Sequence, residues 1–536
     1  MERWNPPQRL SRKEQFIIKR LKRTRKLFAF LRLHRHELLS EEFQAELEGM
    51  YRRTGAGEEP VPPALLCMAL ILQGYLRTSD AEAVELTVMD MRWQLVLDCL
   101  GAEEPAFAQG TLQQFRERLI AWDMDRRLLE RTIELAKKTK EFDWKKLPKD
   151  LRVGVDSRPL QGAGRVEDTF NLLGHTARKI IACAQKLTHH SAEEICHQAN
   201  TPLFLHSSVK AGLDIDWSDP QQKDEALEVL LSQVASLNEW LERNQLRLSE
   251  PVRPYLKAVA QVYQQDVEEA PNGRAHLRQG VAQDRRVSVE DGQMRHGRKS
   301  RTKRFDGYKE HIATDLEADL ILACAVTPAN QPEEEAAPSL KNDLDEQGFC
   351  IHELYIDRGY INSILVEEVL ARAGEVVAKP WAIRNANPGL FTKSEFKLNL
   401  RDNTITCPAG EVEHFEPGQT VEFDPEACGR CPLRAQCTDA ASGKGRRVSI
   451  SEDERLQKRL RTLQNTSKGR GRLRRRSGVE HRLAHIAARK GPRARYLGLR
   501  KNLFDLRRAA AIQNLETIHR KTMTCVRAAA STCSPL

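Results

Sequence analysis

The chain reads as an α/β protein in which a mixed sheet core is preceded by an all-α segment and broken by two insertions. Three observations predict this. Up to about residue 145 the apolar residues recur at helical spacing. At Leu151 the spacing changes to the period of two of a strand, and the elements that follow run strand, hairpin, helix, strand, helix, strand. Set into this order are a stretch of helical period, about 185–275, and a turn-rich, cysteine-bearing stretch, about 390–445.

In the N-terminal segment Pro62 and Pro63 open the apolar run Ala64–Leu76, a position proline tolerates. Thr78-Ser79-Asp80-Ala81-Glu82 has the residues of a capped helix start, and Leu86, Trp93, Leu95, Val96 and Leu97 continue an amphipathic pattern. After a loop at 101–110, Phe115, Leu119 and Trp122 are spaced for one face of a further helix. Short helices joined by short turns suit a DNA-binding or assembly module, and equally any small helical bundle. The first strand is marked by Leu151, Val153 and Val155 alternating with Arg152, Gly154 and Asp156. Strands follow at 307–314 and 320–327, and the five residues between them are few enough for a hairpin. A helix over 332–345 carries Glu333, Glu334 and Glu335 in its first turn, where the helix dipole favours acids. Residues 353–357 read as a strand ending in an acid, 361–372 as a helix and 375–379 as a short strand. Leu227, Val229, Leu230, Val234, Leu237, Trp240 and Leu241 give the first insertion its helical period, and helix returns at 479–490 and 502–519. The expected organisation is a helical DNA-binding or assembly domain (1–145), a core (146–184, 276–390 and 446–520), a helical insertion (185–275), a cysteine-rich subdomain (391–445) and a disordered tail (521–536).

The net charge of +10 is unevenly spread. Residues 468–508 hold 15 lysines and arginines against Glu480 and Asp505, a net +13, and residues 1–36 hold 12 against Glu2 and Glu14, a net +10. The rest of the chain therefore carries −13. Two basic blocks on an otherwise acidic protein suit a polyanion whose counterions they displace, although one block alone would fit a solvated helix face as well. No apolar run approaches the roughly 18–20 residues of a membrane span; the longest, Pro63–Leu76, is interrupted by Gln73. No apolar segment with a small-residue cleavage site follows the basic N-terminus, and the twelve cysteines lack the layout of a secreted disulfide framework. The expected location is the reducing cytoplasm, with no membrane partner.

Two acids stand where strands give way to turns: Asp156 in Val153-Gly154-Val155-Asp156-Ser157 and Asp357 in Leu354-Tyr355-Ile356-Asp357-Arg358. Carboxylates so placed can converge and share hard cations with phosphate oxygens, or can simply cap a turn. Glu480 is the only acid between Lys468 and Asn502. It completes such a site from a helix, or is neutralised by Arg476 one turn earlier.

At this point the chain resembles the insertion-sequence transposases of the DDE type, in the eleven-eighty-two group. The matching residues are Gly154-Val155-Asp156-Ser157, Glu167-Asp168-Thr169-Phe170-Asn171-Leu172-Leu173-Gly174-His175, Gly307-Tyr308-Lys309-Glu310-His311, Asp357-Arg358-Gly359-Tyr360, Val479-Glu480-His481 and Arg495-Tyr496-Leu497-Gly498-Leu499-Arg500-Lys501-Asn502. Residues 62–97 resemble the N-terminal domain of that group, and the resemblance spans about 20–518. It implies a ribonuclease-H-like core, Mg2+ or Mn2+, and recognition of the element's own terminal inverted repeats, with Asp156, Asp357 and Glu480 as the catalytic and metal-binding acids. Related transposases carry Tyr, Arg, Glu and Lys at fixed offsets around the last acid; here Arg476 and Glu480 fit, while Leu473 and Ala487 occupy the other two places.

Cys407, Cys428, Cys431 and Cys437, with one Cys-x-x-Cys pair among Pro and Gly turns, can hold a structural zinc ion of zinc-ribbon type or remain four reduced thiols. Gly162-Ala163-Gly164 lacks the rest of a dinucleotide fingerprint, and His175 and His311 read as core or hydrogen-bonding histidines before catalytic ones. The expected function is cleavage at insertion-sequence ends followed by strand transfer into target DNA. Arg298, Lys299, Lys309, Arg475, Arg476, Lys490, Arg500 and Lys501 are the expected contacts to double-stranded DNA. Two ends must be brought together, so a homo-oligomer on DNA is expected. The rival readings are a metal-dependent nuclease that cuts without joining, and a DNA-binding relative whose catalysis has decayed.

Overall fold

A computed structural model describes residues 3–21, 26–52, 59–139, 151–271, 273–383, 387 and 389–532, the last ten of these as backbone. The N-terminal segment holds α1 (Arg12–Arg20), α2 (Leu27–Leu38), α3 (Glu41–Glu48), α4 (Pro63–Leu76), α5 (Asp80–Met89), α6 (Met91–Leu97), α7 (Gln109–Ala121) and α8 (Met124–Lys138). Then come β1 (Leu151–Gln161), α9 (Thr169–Thr188), α10 (Ala192–Ala199), α11 (Val209–Leu213), α12 (Pro220–Arg243), α13 (Arg253–Asp266), β2 (Val267–Glu269) and β3 (Ala275–Leu277). β4 (Arg295–Arg298), β5 (Arg304–Asp315), β6 (Leu320–Pro328), α14 (Ala337–Glu346), β7 (Ile351–Tyr355), α15 (Ile364–Ala371) and β8 (Glu375–Val377) follow. The cysteine-bearing stretch forms β9 (Lys397–Asn399), β10 (Thr404–Thr406), β11 (Val412–His414), β12 (Thr420–Glu422), α16 (Pro425–Arg430), α17 (Arg434–Cys437) and β13 (Arg447–Ser449). After it come α18 (Glu454–Asn465), α19 (Ser467–Arg474), α20 (Ser477–Lys490) and α21 (Leu499–Thr532). The fold is mixed α/β, with parallel and antiparallel strand pairs and many helices.

The chain divides into two compact units. Met1–Pro148, Asp156–Phe349 and Val479–Leu536 form the larger, and Lys149–Val155 with Cys350–Gly478 the smaller, so β1 contributes its first half to one and its second half to the other.

In the larger unit α4 is apolar all round, and ten of its fourteen residues are buried. It ends on Arg77 in the left-handed conformation (φ 65°), and α5 starts at Ser79, whose hydroxyl accepts from the Glu82 N–H, the capped start expected there. Phe115 and Leu119 are buried, but Trp122 is 60% exposed. Helix α7 stops at Ala121, so Trp122 sits at the C-cap and leaves the helical period that would have turned it inward. β5 pairs antiparallel with β4 and with β6, and β1 runs beside it. That approach requires glycine at 307: a Cβ there would stand 2.3 Å from the Gly162 nitrogen and from the Leu160 carbonyl oxygen, and φ is +149°. α21 packs its buried face, Phe504 through Ile518, against β6 and α8, where the Asn514 amide bonds the Ile321 main chain at both ends and the Thr132 hydroxyl. The insertion has its own core, built on Phe170, Leu173, Ile180, Leu227, Leu230 and Trp240, so the helical cluster begins at Thr169, ahead of residue 185.

In the smaller unit the first half of β1 pairs parallel with β7, and β7 parallel with β8; Val153 lies opposite Leu354 and Gly154 opposite Tyr355. Val153, Leu354 and Tyr355 are fully buried. β9–β11 and β12–β13 enclose a second small core of Phe396, Ile405, Phe415, Phe423, Val448 and Ile450. Among the described residues no helix is long and apolar enough to cross a membrane.

Candidate active site

Asp156 lies in β1 directly after buried Val155. One of its carboxylate oxygens accepts the Ser157 N–H at 2.8 Å, and the Ser157 hydroxyl donates to Glu333 at 2.5 Å. Glu333 opens the turn after β6. Its acids look in sequence like dipole partners of a helix, but this one is drawn back to β1. On β5, Lys309 donates to the Gln331 carbonyl at 2.6 Å; burial lowers its pKa, and the Glu333 carboxylate opposes that.

Asp357 belongs to the smaller unit. β7 stops at Tyr355, and Asp357 caps the 3-10 turn Arg358–Tyr360 by accepting the Arg358 N–H at 2.8 Å. The Arg358 side chain is tied to the Pro380 carbonyl (2.7 Å), and Tyr360 is fully buried, so the turn holding the acid is anchored at both ends. Glu480 stands in the first turn of α20 on an exposed face, beside buried Val479. Asp156 and Glu480 thus belong to the larger unit and Asp357 to the smaller. Among the described residues no group of three or more His, Cys, Asp or Glu is arranged to hold a metal ion.

The expected DNA contacts separate into two sets. Arg298 and Lys299 are exposed at the tip of the β4–β5 ribbon, together with Arg301, Lys303 and Arg304 and no acid between them. Arg475 and Lys501 are exposed, and Arg476 and Lys309 are half-buried. Lys490 and Arg500 must be reassigned. Lys490 is buried between Glu310 (2.6 Å) and Asp505 (2.8 Å), and Glu310 also takes Arg158 at 2.6 Å. Burial works against these charges, but Asp505 and Glu310 hold Lys490 above its ordinary pKa, and Lys490 and Arg508 hold Asp505 far below the carboxylate range. Arg500 is committed to Asp125 (3.0 Å) and Asp123 (3.2 Å). Arg295, three residues before Arg298, is in strand β4 and bound to Asp284 at 2.7 Å.

His311 is fully buried, with Nε2 2.9 Å from the Thr327 hydroxyl; burial, helped by the Lys309 charge, pushes its pKa down to about 3. His175 is held by Glu167 at 2.9 Å. Both serve structure through hydrogen bonds.

In the smaller unit Cys407, Cys428, Cys431 and Cys437 line one cavity of about 370 Å³ with Phe391, Phe423 and Arg446. None of the four is in a disulfide. The Cys437 pKa is raised by burial and further by the other three, with Arg446 pulling the other way.

Two family models match the chain: a transposase DDE domain over residues 406–519, and a transposase domain (DUF772) over 18–118. Searches of curated proteins and of solved structures gave no match. The class these matches define is the DNA transposases, enzymes that act on DNA. Within that class the chain is an insertion-sequence transposase of the DDE type. The first match takes in Glu480, the cysteines and Arg495–Asn502; Asp156 and Asp357 lie outside both.

Proposed function

We propose that the transposase cleaves DNA at the ends of its element and joins the freed 3′-hydroxyl to target DNA, using Asp156, Asp357 and Glu480 as the metal-holding acids of a ribonuclease-H-like core. The observation that carries this is the placing of the two aspartates. The last paired residues of β1 and β7 are Gly154 and Tyr355, and each aspartate follows its own by two residues. Each also gives one carboxylate oxygen to the N–H of the next residue, which fixes its orientation. The three acids are hard oxygen donors of the kind Mg2+ or Mn2+ takes, and such ions need few protein ligands because water and phosphate fill the remainder. When bound, the ions supply charge for in-line phosphoryl transfer.

The chain's own part is positioning. Buried Val153 and Val155 hold β1 ahead of Asp156, and buried Leu354 and Ile356 hold the chain that leads from β7 to Asp357. The Glu333–Ser157 bond steadies β1 just past Asp156. Arg298 and Lys299, with Arg301, Lys303 and Arg304, make the β4–β5 ribbon a cationic arm of a width that a DNA groove admits. Arg475, Arg476 and Lys501 add phosphate contacts, and the N-terminal helices read the terminal repeats, since phosphate contacts position and base contacts specify. Assembly of two ends calls for a homo-oligomer, and the cytoplasm supplies the DNA. Cys407, Cys428, Cys431 and Cys437, which line one cavity, are the residues that would hold a structural zinc ion, and such an ion would cross-link the small subdomain 391–445.

The test is cleavage of a labelled duplex carrying the DNA that flanks the gene, with Mg2+ or Mn2+. Asp156→Asn, Asp357→Asn and Glu480→Gln are expected to lose at least about a thousandfold in rate while binding DNA as the wild type does. Near-normal cleavage by any of the three removes that residue from the site. Cut ends without joined products would replace the transposition chemistry by simple nuclease action.

A further inference from the structure

In the larger unit a cavity of about 410 Å³ opens among the end of α4, the start of α5, the end of α20 and α21. Six cations line it, Arg77, Arg489, Lys490, Arg493, Arg495 and Arg508, against one carboxylate, Asp505. Asp505 is already taken by Lys490 (2.8 Å) and Arg508 (2.6 Å), and Arg489 by Glu516 (2.5 Å). Asp80, at the start of α5, is taken by two bonds from Arg116, at 2.8 and 2.6 Å.

Three cations are left over. Arg77, Arg493 and Arg495 are exposed. Their hydrogen bonds go to main-chain carbonyls, and Arg495 lies near enough to the Arg116-bound Asp80 to help lower its pKa. Each has one guanidinium nitrogen anchored on a main-chain carbonyl: Arg77 on Lys490 (3.0 Å), Arg493 on Ala163 (3.1 Å) and Arg495 on Thr78 (2.7 Å). A guanidinium so held keeps its remaining N–H groups in a fixed fork, the geometry that meets a phosphate.

The backbone has been shaped to bring the three together. Arg77 stands in the left-handed C-cap of α4. Gly491 is also left-handed (φ 80°), and a Cβ there would lie 3.2 Å from the Arg77 guanidinium. The chain then runs as a strap along the end of β1: Gln161 donates to the Pro492 carbonyl (2.9 Å), and Ala494 donates to the Gln161 carbonyl (2.7 Å). With strand periodicity along the strap, buried Ala494 faces the core and its neighbours Arg493 and Arg495 face the cavity together.

We propose that this cavity is a phosphate pocket in which Arg77, Arg493 and Arg495 hold one backbone phosphate of the bound DNA. The assignment rests on the transposase reading above. Gln161 is five residues along β1 from Asp156, about 17 Å of strand. The pocket therefore grips the DNA backbone several nucleotides from the reacting phosphate and sets the register of the strand.

The test uses the full chain, wild type and Arg77→Ala/Arg493→Ala, with a duplex of the element end titrated at several salt concentrations. The double variant is expected to bind about tenfold more weakly, with the slope of log K against log salt shallower by about 0.9, the loss of one phosphate contact. Arg493→Ala alone, whose side chain anchors no helix end, is expected to move both readouts the same way and serves if the double variant does not fold. In parallel, inorganic phosphate is added at fixed ionic strength and thermal melting followed. An unchanged slope with a phosphate-dependent melting shift that the variant loses would make this a site for a free anion and overturn the DNA assignment. An unchanged slope with no phosphate effect would show that the arginines serve only the fold. A wild-type protein that neither binds nor cuts duplex DNA would overturn the transposase reading itself, whereas normal wild-type binding with an unmoved variant overturns the pocket alone.

Discussion

Lys490 shows how a residue's surroundings decide its role. In sequence it is one cation in a block of net +13, and a phosphate contact is the natural reading. In the fold it is enclosed by Glu310 and Asp505, which would be buried with a single arginine each if it were lost. Lys490→Ala is therefore expected to cost roughly 2–4 kcal/mol of stability by urea denaturation, because Glu310 and Asp505 each lose a charge-assisted hydrogen bond in the core. The salt slope of DNA binding should stay unchanged. A stable variant with a shallower slope would return Lys490 to the DNA interface. Arg77 is the converse case: it lies outside both basic blocks, and only the left-handed end of α4 brings it beside the strap. No linear pattern announces such a residue, since its partners, Lys490 and Gly491, are more than 400 residues away along the chain.

Among the elements, those whose period reports a single buried face were readable in advance. The hairpin β5–β6, helix α20 and the capped start of α5 lie within a few residues of where alternation and capping residues place them. β4 was not readable: Arg295-His296-Gly297-Arg298 has no apolar alternation, and it is a strand because it pairs along β5. The short strands β9–β13 carry no readable period either, being three residues each and ordered by turns and a small shared core. The cysteines belong to this scale. The subdomain core is little more than a handful of aromatic and β-branched side chains, a size at which a bound ion contributes strongly to folding. Protein purified without added metal is expected to carry about one zinc per chain, and chelation should melt this segment first in hydrogen exchange. Clearly substoichiometric zinc with the exchange pattern intact would leave four reduced thiols.

For the molecule as a whole, the charge asymmetry in the sequence points to a polyanionic partner, which agrees with the transposase domains that the chain matches. Sequence pattern does not foretell how the chain partitions, because the boundary falls inside β1, between Val155 and Asp156, where no composition changes. Global stability should also carry a pH signature. His311 is held neutral by burial, with its folded pKa near 3 and below its ordinary value. Its contribution is present above about pH 6.5 and is lost as pH falls, because the unfolded chain takes up the proton first. Between pH 7.5 and 5 this amounts to about 2 kcal/mol. Comparing urea midpoints of the wild type and His311→Gln across that range isolates it; equal pH dependence in both would place the acid sensitivity elsewhere.

The central claim, that Asp156 and Asp357 hold the metal ions of transposition, is tested most directly by exchanging each aspartate for cysteine and assaying end cleavage with different ions. A thiolate is a poor ligand for Mg2+ and a good one for softer cations. Asp357→Cys is predicted to be inactive with Mg2+ and to regain cleavage with Mn2+ or Cd2+, and Asp156→Cys likewise. Cleavage by either variant at the wild-type rate with Mg2+, and equally with every ion, would contradict the account.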